Sequence, residues 1–168
     1  MWLERKKVPE PDSADAHFAI SQFSAWIMNA DTKAGVLAAA LAILINGLLG
    51  QKIAITALLP PRNVAAWLPL TALTGSAICI IAASMHLILA VRPKIRQDEF
   101  SRYSWPSVSK STISQLVSRG TDTDREEAWK TAHTLASIAE IKFRRLRVAF
   151  IWWLIAALLL LLGIASLP

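Results

Sequence analysis

The residues of this chain best suited to chemistry are cations. Lys142, Arg144, Arg145 and Arg147 fall within six positions of one another. Guanidinium groups offer paired, planar hydrogen bonds to a phosphate. Placed just ahead of a long apolar run, the same four residues also read as an anchor for lipid headgroups. A second group, Asn29, Asp31 and Lys33, lies at the start of another apolar run. Asn29 and Lys33 are four apart and share a helix face. An ionisable pair at a bilayer edge could gate or hold a ligand, or simply cap the interface while Lys33 snorkels. Asn46 is the strongly polar residue inside that run and follows Ala34, Ala38 and Ala42 at four-residue spacing, beside Gly35 and Ala39. Small residues let helices approach closely and an amide can bond across them, within one chain or between copies. Phe100, Tyr103 and Trp105 stand among Arg96, Arg102 and Lys110; such interleaving could stack a base or pack a loop at the interface.

Other chemistries lack their residues. His17, His86 and His133 are scattered, and the single cysteine, Cys79, lies within an apolar run. Neither gives a metal spacing or an intrachain disulfide. No nucleophile elbow surrounds a serine, and there is no phosphate-cradling glycine loop or carboxylate pair. The expectation is a protein that is not an enzyme, with no catalytic residue, no metal and no cofactor.

The elements that must position these residues are helices in a membrane. Of 168 residues 54% are hydrophobic, and the mean hydropathy is +0.43. Charge is almost absent from 34–50, 64–91 and 148–168, and a spanning helix needs roughly 20 apolar residues. The chain therefore divides into a basic tail at 1–12, an amphipathic helix at 13–33 and a first span at 34–50. A short external loop at 51–64 leads to a second span at 65–91. A polar helical module at 92–147 and a third span at 148–167 complete it. The predicted fold class is an all-α integral membrane protein whose cytoplasmic module is formed by extensions of the first and third spans.

Two stripes support those extensions. One runs Ala16, Ile20, Phe23, Ile27, Ala30, Ala34, Leu37, Leu41, Leu44, Leu48, mostly at alternating three- and four-residue steps, which keeps one helix face apolar. It starts after Ser13, a plausible N-cap. The other runs Trp129, Ala132, Ala136, Ala139, Phe143, Leu146, Phe150, in a helix that Asp122 or Asp124 would cap. Each helix continues into a span, and the stripes would pair as a short bundle, within one chain or between chains. The net charge is +6, and 92–147 holds twelve basic against seven acidic residues. The excess of basic residues places the N-terminus and this segment in the cytoplasm and the C-terminus outside. The same rule explains the charge without DNA or RNA.

Across 14–167 the chain resembles the transmembrane effectors of Pycsar antiphage systems. The resemblance is carried by Asn29-Ala30-Asp31-Thr32-Lys33-Ala34 at the first span, Arg92-Pro93-Lys94 after the second, and Lys142 followed by Leu146-Arg147-Val148-Ala149 before the third. Tyr103-Ser104-Trp105-Pro106 departs from the Phe-rich element expected there. The resemblance implies a partner pyrimidine cyclase making cyclic CMP or cyclic UMP. The nucleotide would activate an effector that impairs the inner membrane and stops the infected cell. Its one phosphate would need a cation, for which Lys33, Arg92, Lys142, Arg144 and Arg145 are the candidates. Arg144 and Arg145 are favoured because they adjoin Phe143 and Leu146. Asn29, Asp31 and Asn46 are the candidate gating and interface residues, and a homo-oligomer is expected. The alternative is a passive membrane anchor or assembly subunit of a larger complex.

Overall fold

The computed structural model describes residues 13–61, 64–92, 103, 105–114 and 121–167. The basic tail at 1–12 lies outside them, as do Pro93, Lys94, Arg96, Phe100 and Arg102. All regular structure among the described residues is helical. Helix α1 covers Ala14–Gly50, α2 Lys52–Ala57, α3 Trp67–Val91, α4 Trp105–Val108 and α5 Thr121–Ala165; one 3-10 turn, Val64–Ala66, leads into α3. The stretches 14–57, 64–91 and 124–165 each hold a segment long and apolar enough to cross a membrane.

Helix α1 is a single element of 37 residues. Ser13 precedes it, and the Ser13 carbonyl accepts the His17 N–H at 3.1 Å, the place an N-cap occupies. Its stripe is its buried side: Ala16, Ala30, Ala34, Leu37 and Leu41 are buried, and Ile20, Phe23, Ile27, Leu44 and Leu48 are half-buried. Helix α3 carries Pro69 in its first turn, where no backbone donor is required. It stops at Arg92, whose N–H closes the last turn on the Ile88 carbonyl at 2.9 Å.

Helix α5 is one element of 45 residues that begins at Thr121. Asp122 and Asp124 are therefore inside its first turn, and neither is its N-cap. An acidic residue there still complements the helix dipole. The packed side of α5 also differs from the expected stripe. Ala132, Ala139 and Leu146 are buried, whereas Trp129, Phe143 and Phe150 are exposed. Ala128, Ala149, Ala156 and Leu160 complete the buried set. Small residues take the close contacts because they admit a neighbouring backbone, so the aromatics turn outward.

The described residues fall into two compact units, one within 1–27 and 94–139 and the other within 28–93 and 140–168. In the first, Ala16, Ala128 and Ala132 are fully buried. The Tyr103 hydroxyl donates to Asp124 Oδ1 at 2.6 Å and lies 3.5 Å from His17 Nε2.

The second unit is a packing of α1, α3 and α5. Its core joins Ala30, Ala34, Leu37 and Leu41 of α1 to Cys79, Ile80, Ala83, Leu87 and Ala90 of α3, and to Leu146, Ala149 and Ala156 of α5. Helices α1 and α5 run parallel, since Asp31 meets Lys142 and Gly47 faces Leu160. Helix α3 runs against them: the buried Ser76 hydroxyl donates to the Ala156 carbonyl at 2.8 Å, and Gly163 lies on Leu73. A Cβ on Gly163 would stand 2.7 Å from Leu73 side-chain carbons, so the glycine is what admits this crossing.

Candidate ligand and gating site

The cation clusters are positioned by α1 and α5 at one end of the second unit. Lys142 Nζ donates to Asp31 Oδ1 in an ion pair between the two helices. The Lys142 side chain is 14% exposed and that of Asp31 46%, so water screens the pair from the Asp31 side. Two residues further along α1, the Lys33 ammonium sits 5.6 Å from the Phe143 ring centroid, within cation–π range. Asp31 and Lys33 thus each engage the same short stretch of α5. The spacing on α1 grouped Asn29, Asp31 and Lys33 but left this cross-helix partner unseen. Its only sequence signal is two opposite charges, each at the edge of an apolar run.

The other candidates are more open. Arg144 is exposed and Arg145 half-buried, and Arg147 is exposed at the third span. Arg92 is exposed at the end of α3. Asn29 is exposed on α1. Asn46 is also exposed, as are Gly35, Ala38, Ala39 and Ala42. That face of α1 is left exposed among the described residues, and of the small-residue series Ala34 alone is buried. The amide of Asn46 is therefore not a core hydrogen bond of the single chain.

Arg147 and Lys33 flank a groove of about 550 Å³ between α1 and α5, walled by Val36, Leu37, Ala40, Phe143, Leu146, Phe150 and Trp153. Among the described residues, the Trp153 indole N–H is buried without an acceptor and His86 Nδ1 without a partner. Among the described residues no group of three His, Cys, Asp or Glu is gathered for a metal. Of the aromatic loop, Tyr103 is placed by the His17 edge contact at 5.3 Å and its bond to Asp124.

Among the described residues these features define an all-helical protein with three helices able to cross a membrane and a charged contact between two of them. Residues 15–168 match the model of the Pycsar effector protein domain. The chain belongs to that family of antiphage defence effectors. Comparison with curated proteins and with solved structures finds no significant match to either.

Proposed function

We propose that this chain is the membrane effector of an antiphage system. A cyclic pyrimidine nucleotide, cyclic CMP or cyclic UMP from a partner cyclase, switches it on, and it then impairs the inner membrane so that the infected cell stops. The observation that carries the reading is the family match over 15–168. Two helices support it physically: α1 and α5 each extend well beyond the length a span needs, at 37 and 45 residues. On this reading, residues 13–33 and 92–147 form a cytoplasmic module built on extensions of the first and third spans, and the C-terminus is external. The protein acts by rearranging helices and turns over no substrate.

A ligand can shift such an equilibrium only through different affinities for its two states. Arg144 and Arg145 suit the nucleotide phosphate because they have no partner to give up among the described residues, whereas Lys142 is engaged by Asp31. Asp31–Lys142 is then a latch between α1 and α5, and Asn29 and Lys33 stand beside it. The exposed face of α1 with Asn46 meets a second copy, where its amide finds a partner.

Calorimetric binding of cyclic CMP and cyclic UMP to the purified full chain tests this. One nucleotide is expected to bind, and Arg144→Lys or Arg145→Lys to weaken it about tenfold, because lysine cannot make the paired contact. If both lysine variants bind as tightly as the wild type, the phosphate site is elsewhere. A folded wild-type protein that binds neither nucleotide is a passive anchor instead.

A further inference from the structure

The groove between α1 and α5 has a polarity that the nucleotide reading does not use. Among the described residues its charged lining is Lys33 and Arg147, both basic and both on the side away from Ala40 and Trp153. No carboxylate among the described residues lines it, and the nearby Asp31 is already paired with Lys142. From that end the walls become wholly apolar. Ala40 and Trp153 lie six or seven residues deeper along their helices, about 10 Å at the α-helical rise. Both helices are spans there, so the deep end lies in hydrocarbon and the basic end at its edge. The slot stays open because Ala40 has so small a side chain, while Phe150 and Trp153 form broad walls on α5.

We propose that this groove is a binding site for one anionic phospholipid. The phosphate rests between Lys33 and Arg147, and one acyl chain lies along Ala40, Phe150 and Trp153. A cation held near the membrane surface contributes about 1 kcal/mol toward an anionic lipid, roughly fivefold in affinity. An apolar slot alone would take any acyl chain; the two cations select for charge. The bound lipid would fill the space between the two helices that the Asp31–Lys142 pair joins.

Native mass spectrometry of the full chain measures the site, with phosphatidylglycerol and phosphatidylcholine of matched chains as probes. One phosphatidylglycerol per chain is expected to be retained in preference to phosphatidylcholine. Lys33→Gln and Arg147→Gln are each expected to reduce that preference about fivefold. Ala40→Phe, which fills the slot and leaves both charges, should remove the retained lipid, and sn-glycerol 3-phosphate should not displace it. Circular dichroism establishes that each variant keeps its helices. Equal retention of the two lipids, or an unchanged preference in Arg147→Gln, overturns the proposal. So does displacement by glycerol phosphate, which would mean a bare phosphate site. Undiminished retention in Ala40→Phe also overturns it, because the headgroup would then be held without the groove.

Discussion

At the scale of single residues, the Asp31–Lys142 pair ties together two helices that are each able to cross a membrane. Its partial exposure limits what it contributes, since screened pairs are worth about 1 kcal/mol or less. Asp31→Asn leaves Lys142, only 14% exposed, without its counter-charge, and that loss exceeds the net worth of the pair. The double-mutant cycle of Asp31→Asn with Lys142→Met is therefore expected to give a favourable coupling of roughly 0.5–1 kcal/mol, read by reversible unfolding in mixed micelles. Additivity of the two substitutions would mean the pair contributes nothing. The sequence identified both residues as chemically apt but could not pair them, because they lie 111 positions apart and only packing sets their register. Asn46 shows the reverse. Its polarity within an apolar run was plain, and its outward direction came only with the packed structure.

At the scale of helices, the glycines give a paired test. A Cβ at Gly163 meets Leu73 at 2.7 Å, and one at Gly35 meets nothing within 4 Å. Gly163→Ala is expected to destabilise by about 1–3 kcal/mol through overpacking. Gly35→Ala is expected to be neutral or to stabilise the isolated chain by up to about 1 kcal/mol through helix propensity. Equal effects in the same unfolding assay would mean that the α3–α5 crossing is not as tight as described. Stripe periodicity read α1 well, because alternating steps of three and four keep one helix face apolar and that face is the buried one. It read α5 less well. Counting aromatics as core residues rotated the packed side, whereas alanines occupy the close contacts. The start of α5 was placed too late for a similar reason: acidic residues are favoured both at the N-cap and in the first turn. Continuity of α5 itself is testable. Ala139→Pro interrupts the helix at a cost of about 3 kcal/mol. The variant is expected to insert normally and to lose toxicity when the activating nucleotide is supplied. Full toxicity would exclude transmission along an unbroken helix.

At the scale of the whole molecule, three apolar segments and their order could be read from composition alone, because hydrocarbon demands length and freedom from charge. The contacts among them could not, since nearly every residue in a span is apolar and the pattern carries little direction. Sidedness rests on the basic excess between the second and third spans. In a Cys79→Ala background, Lys110→Cys is expected to be shielded from a membrane-impermeant maleimide in intact cells and Ser166→Cys to react. Labelling at 110 from outside would reverse the orientation and remove the cytoplasmic nucleotide reading with it.

Dye release from liposomes reconstituted with the purified chain addresses the nucleotide-switched loss of membrane integrity without any other cellular component. Cyclic CMP or cyclic UMP is expected to release the trapped dye, while the linear 5′-monophosphates leave the vesicles intact. Vesicles that hold inserted, folded protein and retain their dye with both cyclic nucleotides would contradict it.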